Sequence, residues 1–366
     1  MKTKARVIAL YLPQFHPTPE NDKWWGKGFT EWTNVGKAKP LFRNHYQPRV
    51  PADLGYYDLR MPEIREAQAQ MAREAGIEGF MYWHYWFGNG RMILERPFKE
   101  VLNNGHPDFP FCLGWANHSW TTHSWNSETQ HQKDSIMIEQ LYPGEEDYIN
   151  HFYYVLPAFK DSRYITIDGK PLFMIYAPLD FPDVRNFIEL WRKLAIQNGL
   201  KGIYFIARSY GWKENNQKIL NLGFDGINSN GQWEAEIAAK GKIKYLVINR
   251  LVQKLGRGLL KFDYKKITQH FFTEDDKKEN IFPTIIPQWD RSARSGSRGV
   301  IYHNSTPKLF KEHVRQALSY IKNKPYEHRI LILKSWNEWA EGNYMEPDLK
   351  YGHGYLEALK DAIEEK

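Results

Sequence analysis

The chain has 366 residues, 42% of them hydrophobic and 25% charged, with a formal net charge of +7 and a single cysteine, Cys112. That composition suits a globular protein large enough to bury its own core, and one cysteine excludes both an internal disulfide framework and a cysteine-based zinc site. No apolar window approaches the length needed to span a bilayer, so a cytoplasmic location is expected.

In chain order, the basic start Met1–Arg6 leads into an apolar run that stops at Pro13, too short for a leader and readable as a first strand, Val7–Phe15. Seven further β-rich runs follow: Gly79–Trp86, Phe111–Trp115, Leu172–Tyr176, Gly202–Ala207, Gly226–Ser229, Thr284–Gln288 and Ile330–Trp336. Helical periodicity separates many of them, at Met61–Ala75, Glu146–Phe159, Pro182–Asn198, Glu214–Asn221, Lys308–Lys322 and Gly354–Glu365, with Gly76, Gly199 and Gly223 placed as stops. Eight strands alternating with helices predict an α/β fold, a closed (β/α)8 TIM barrel. With no linker or repeat to divide it, residues 1–366 are expected to form one domain with long loops at the C-terminal face.

The carboxyl ends of the strands share a polar and aromatic chemistry, and in such a barrel that end carries the active site. They place His16, Trp83, His84, Trp115, Asn117, His118, Tyr176, Asn228, Trp289, Asp290 and Asn337 as candidate substrate-binding residues. Aromatic residues make up 15% of the chain, with 14 Trp and 22 Tyr. Flat rings with a polar handle suit the apolar faces of sugars, although a large aromatic core would give the same count. The loops Pro17–Asp58 and His118–Gln140 are expected to fold over the barrel mouth.

Glu338 and Glu341 stand three apart after the last strand, where two carboxylates can straddle a glycosidic oxygen, one as acid and one as base or nucleophile. A solvated helix start would produce the same spacing. Asp290, followed by Arg291 and Arg294, reads either as a cleft residue or as an N-cap and arginine partner. Glu31, Glu346 and Asp348 are further acidic candidates, and His123 a further histidine. The histidines lie on separate strands with no His-Glu-x-x-His, and no phosphate loop, dinucleotide fingerprint or nucleophile elbow is present. No metal and no cofactor are therefore expected. The surplus charge is local: from Lys240 to Lys266 nine bases face Asp263 alone, with apolar residues between them at roughly helical spacing. This stretch reads as a basic amphipathic helix on an anionic membrane, or as a barrel helix with a basic outer face. No nucleic-acid reader is recognised.

Four segments resemble a known family: Leu10-Tyr11-Leu12-Pro13-Gln14-Phe15-His16, Trp24–Val35, Asp53–Asp58 and Trp336-Asn337-Glu338-Trp339-Ala340-Glu341-Gly342. Together they are similar to the WbsX-type proteins, relatives of glycoside hydrolase family 99, the endo-α-mannosidases. The resemblance implies that Glu338 deprotonates the sugar's own 2-hydroxyl and Glu341 protonates the leaving group, with retention through a 1,2-anhydro sugar. It also implies that Tyr11 binds substrate. The expected activity is that of a retaining glycosidase or transglycosidase on an oligosaccharide or polysaccharide of the bacterial surface. Alternatives are a glycosyltransferase in O-antigen or capsular polysaccharide biosynthesis and a non-catalytic glycan-binding barrel. A cytoplasmic enzyme near lipid-linked sugars, peripheral to the inner face of the membrane, would suit the basic stretch.

Overall fold

A computed structural model of the chain describes residues 3–121, 135–209, 214–255 and 258–364. Eight strands form the barrel: β1 (Arg6–Tyr11), β2 (Gly79–His84), β3 (Phe111–Trp115), β4 (Lys170–Ile175), β5 (Tyr204–Arg208), β6 (Gly226–Ser229), β7 (Ile281–Ile285) and β8 (Ile330–Leu333). Each pairs in parallel with the next, and β8 closes on β1 with Arg6 opposite Ile330 and Ala9 opposite Leu333. The expected (β/α)8 barrel is thus the observed fold. β7 begins three residues earlier than expected, taking in Ile281, Phe282 and Pro283.

The connecting helices are α1 (Pro62–Glu74), α2 (Arg96–Asn104), α3 (Glu145–Phe159), α4 (Val184–Gln197), α5 (Glu214–Leu220), α6 (Gln232–Lys240), α7 (Lys242–Leu255), α8 (Pro307–Ile321) and α9 (Gly354–Glu364). Apolar residues recur along one side of α4, where Val184, Phe187, Ile188, Trp191, Leu194 and Ala195 are buried. α2 was not expected, though its signals are ordinary ones: Pro97 in the first turn and Gly105 in a left-handed cap at φ 73°.

The basic stretch 240–266 is not one helix. It begins with the last residue of α6, continues through α7, then forms a strand, Leu260–Asp263, and enters a short helix, Tyr264–Thr268. The strand pairs with Val300–His303, which pairs in turn with Trp289–Asp290, making a small side sheet. Gly241 at φ 80° and Gly258 at φ 84° allow the chain to turn where a continuous helix would need neither.

Candidate active site

The segment after β8 forms a tight hairpin. Asn337–Glu338 pairs antiparallel with Asn343–Tyr344 around a single 3-10 turn, Trp339–Glu341. The reversal folds Glu341 back on Glu338 so that the two carboxyl groups hydrogen-bond to each other. Asn337 ties the hairpin to the chain beyond β1: its Oδ1 accepts from the Leu12 N–H at 2.8 Å and its Nδ2 donates to the Leu12 carbonyl at 3.0 Å. Trp339 stacks on Tyr344 with ring centroids 3.7 Å apart. Gly342 closes the turn at φ 54°, and a Cβ there would lie 2.7 Å from the Asp290 Cβ and 3.1 Å from the Arg49 Cζ. Gly342→Ala should therefore destabilise by about 3 kcal/mol, combining left-handed strain with overpacking. Urea unfolding measures this, and a loss below about 1 kcal/mol would show that the turn yields easily.

Arg294, in the short helix Ser292–Ser295, organises the charges. Its Nη1 meets Glu341 at 2.8 Å, its Nη2 meets both Glu31 oxygens at 3.2 and 3.3 Å, and Glu338 lies at 3.8 Å. Glu31, fully buried at the start of the helix Glu31–Lys37, also accepts the Ala340 N–H at 2.8 Å. It thereby joins the long first loop to the Glu338–Glu341 hairpin. The Arg291 Nε approaches Glu341 at 3.3 Å. Burial raises the affinity of both hairpin carboxyls for protons. For Glu341 the two guanidiniums outweigh burial and hold it ionised, whereas Glu338, beside that anion and further from Arg294, is pushed well up. The pair is therefore asymmetric, with protonation favoured at Glu338 over Glu341.

The two carboxyls open into a cleft of about 420 Å³ at the carboxyl end of the barrel. Of the residues expected to bind substrate, Trp83, His118, Tyr176, Asn228 and Trp289 line it. So do residues that the sequence did not single out: Tyr85, Trp120, Trp233, Tyr245, Arg208, Gln232, Glu236 and Lys334. Arg208 lies 4.4 Å over the ring of Tyr176, and Lys334 lies 4.3 Å over that of Trp289. Burial and the nearby charge of Arg208 lower the pKa of the Lys334 ammonium. Glu236 accepts hydrogen bonds from Tyr245 at 3.0 Å and Tyr302 at 2.8 Å.

The other expected binding residues lie outside this cleft, for reasons of strand parity and pairing. Side chains alternate along a strand: Leu10 and Leu12 line the cleft, while Tyr11 turns outward and donates to Gln68 of α1 at 2.6 Å. On β2 the same rule sends Trp83 inward and His84 outward, against His151 of α3, Nε2 to Nε2 at 2.8 Å. Burial drives the pKa of His84 down to about 3, so it is neutral there. Trp115 packs against Phe181 and Phe187, its Nε1 donating to the Trp86 carbonyl at 2.9 Å. Asn117 bridges to the Ala177 backbone through both amide atoms, at 2.7 and 2.9 Å. His16 is buried beside the Asp58 and Arg60 charges, and Asn337 serves the hairpin as described. Asp290 faces away from the cleft, bound by His45 at 2.8 Å, Gln47 at 2.9 Å and the Ser292 N–H at 3.0 Å. Burial raises its pKa, but these hydrogen bonds and the charge of Arg49 prevail and bring it to about 2. Glu346 is enclosed by Trp339, Gln68 and Tyr57, and Asp348 caps the turn at Lys350 and Tyr351. His123, and much of the loop 118–140, lie outside the described residues. Among the described residues, no group of three or more His, Cys, Asp or Glu side chains is arranged to hold a metal ion.

Comparison with known proteins adds a family. The family model described as Glycosyltransferase WbsX matches residues 7–359. Two curated proteins of Xanthomonas campestris pv. campestris, from strains B100 and ATCC 33913, both named "Uncharacterized protein WxcX", are 32% identical over 365 residues, or 98% of this chain. The chain spans about half the length of these relatives. Among solved structures, a GH99 endo-α-mannosidase from Bacteroides thetaiotaomicron superposes with a TM-score of 0.59 at 15% identity, covering 98% of this chain and 96% of the other. A glycoside hydrolase-like protein gives 0.61 at 16% identity, covering 98% and 94%. At these identities the likeness is one of fold.

Proposed function

Because the chain belongs to the WbsX family, we propose that it acts on glycosidic bonds, as a retaining glycosidase or transglycosidase on an oligosaccharide or polysaccharide of the bacterial surface. The observation that carries this reading is the Glu338–Glu341 carboxyl pair, gathered around Arg294 at the foot of an aromatic cleft. A bond between sugars needs a proton delivered to the leaving oxygen and a base or nucleophile on the other side. The usual retaining pair stands about 5–5.5 Å apart and attacks the sugar directly. A pair close enough to hydrogen-bond leaves no room for that until substrate separates it. This agrees with a carboxylate that takes a proton from a substrate hydroxyl. On electrostatic grounds Glu338 is the proton donor and Glu341 the base, the reverse of the roles that the resemblance implies. Residues 1–366 act in this reading as one domain.

A second reading is favoured by the cations. Arg208, Arg291 and Lys334 all line the cleft, and they suit the anionic leaving group of an activated donor in O-antigen or capsule assembly. The two readings separate when wild type and Glu341→Gln are incubated with mannose-containing and bacterial surface oligosaccharides without any donor and the products are weighed by mass spectrometry. Shortened or rearranged chains from the wild type alone support the glycosidase. Products that require a donor support the transferase, and saturable binding with no turnover under either condition leaves a glycan-binding barrel.

α7 supplies a contact with an anionic membrane in the same proposal. Ile243, Leu246, Val247 and Leu251 form an exposed stripe, Ile243 at 81% exposure, beside the exposed bases Lys244, Arg250 and Lys254. Trp233 of α6 and Tyr245 of α7 line the cleft, so this surface adjoins its mouth. No helix among the described residues is long and apolar enough to cross a membrane. Replacing Lys244, Arg250 and Lys254 with glutamine should weaken binding to phosphatidylserine vesicles at low salt about tenfold, at about 1 kcal/mol or less per base. Unchanged sedimentation would make α7 an ordinary outer helix.

A further inference from the structure

A second cavity, of about 440 Å³, lies behind the catalytic hairpin. The two cavities share a wall: in the short strand Trp289–Asp290, Trp289 faces the cleft and Asp290 faces the second cavity. Its lining is strongly cationic. Arg43, Arg49, Lys261 and Lys350 carry fixed positive charge, and the only carboxylate among the lining residues is Asp290. Both Asp290 oxygens are already engaged by His45, Gln47 and Ser292.

Two buried donors in this wall lack partners. Gln288, 2% exposed, accepts a hydrogen bond from the Arg49 Nη1 at its Oε1, while its Nε2 has no acceptor; the Arg49 Nε likewise has none. Unpaired buried N–H groups are costly, on the order of 1–3 kcal/mol each, so this wall is rich in unspent donors beneath its charged surface. Thr306, the N-cap of α8, lines the same cavity, which places the positive end of that helix dipole close to it. Lys350 is held over the rings of Tyr46 and Tyr351 at 4.5 and 4.9 Å, and Lys261 over Phe42 at 4.3 Å, which keeps both ammonium groups at the rim.

We propose that this cavity binds the phosphate or diphosphate ester of a sugar. Four fixed cations exceed what one carboxylate would balance, and the volume, about 440 Å³, exceeds that of a bare phosphate and leaves room for the sugar it esterifies. Arg49 also donates to the Gly342 carbonyl at 3.4 Å, so an anion gathered there sits one residue layer behind the carboxylate pair. The proposal is independent of which reaction that pair performs, because it is read by binding and not by turnover.

The test is isothermal titration calorimetry of the full chain with glucose 1-phosphate, inorganic diphosphate and glucuronate, repeated on the double variant Lys261→Ala/Lys350→Ala. The expected result is saturable binding of glucose 1-phosphate and diphosphate, glucuronate at least about tenfold weaker, and a further loss of at least about tenfold for both phosphates in the variant. Circular dichroism establishes that the variant is folded, and Arg43→Ala provides a second, exposed rim substitution that should weaken binding in the same direction. No saturable binding by the wild type overturns the site, as does equal affinity in the variants, which would place the anion among the cleft cations instead. Equal affinity for glucuronate overturns the phosphate preference, and binding of diphosphate without glucose 1-phosphate overturns the sugar ester.

Discussion

Glu341→Gln should lower turnover about a thousandfold while leaving glycan binding within a few fold of wild type. The amide nearly matches the carboxylate in shape, so the hairpin and the stacked Trp339–Tyr344 pair keep their packing. What disappears is the anion that Arg294 and Arg291 hold in place, and with it the base. Glu338→Gln removes the shared proton instead, and here a substrate with an activated leaving group separates the roles. If Glu338 is the donor, an aryl glycoside should restore much of the lost rate to Glu338→Gln and little to Glu341→Gln. The opposite pattern would return the acid role to Glu341. The pH profile reads the shared proton itself, whichever carboxyl delivers it. Burial and the neighbouring anion raise the Glu338 pKa, so its proton is present at neutral pH and is lost as pH rises through that raised value; activity should fall on the alkaline limb. A variant Glu341→Gln as active as wild type would end the assignment of the pair.

Arg294→Met should cost about 3–5 kcal/mol of stability at neutral pH, the usual penalty for stranding buried charge. This one guanidinium faces Glu31, Glu338 and Glu341; Glu31 is fully buried, and the other two are largely enclosed at the foot of the cleft. Burial already raises the folded-state pKa values of Glu31 and Glu338, and without the cation they rise further above the unfolded value of about 4.3, while Glu341 loses the nearer of the two guanidiniums that hold it down. A carboxyl with a raised folded pKa opposes folding while it is ionised and stops doing so once protonated. The variant should therefore recover stability relative to wild type as pH falls from neutral toward that unfolded value. Urea unfolding at several pH values measures both effects. A loss under about 1 kcal/mol, or a difference independent of pH, would mean that water or another base neutralises the cluster.

Much of this molecule was legible before the fold was known. Each of the eight strands overlaps a run of β-branched and aromatic residues, and α1, α3, α4, α8 and α9 fall within two residues of their expected ends, because both patterns are local. That Glu338 and Glu341 follow the last strand was also legible, since they are nearly contiguous with it, whereas the hairpin that folds one onto the other was not expected. The binding residues were less so. Strand ends were read as whole clusters, whereas the barrel admits alternate side chains only, so Trp83 faces the cleft and His84 does not. Applying that alternation from Leu10 and Leu12 would have turned Tyr11 away from the site.

The sequence by itself determined the barrel, its number of strands and the carboxylate pair, because short-range periodicity and the order of elements along the chain suffice for these. Only the tertiary structure decided which charges meet. Arg294 and Glu31 stand 263 residues apart, and Asp290 and His45 stand 245 apart. No local pattern encodes such pairs. They exist because the long first loop folds across the barrel mouth and is locked there by the hydrogen bond from the Ala340 N–H to Glu31, and burial then makes each charge depend on the partner that the fold delivers.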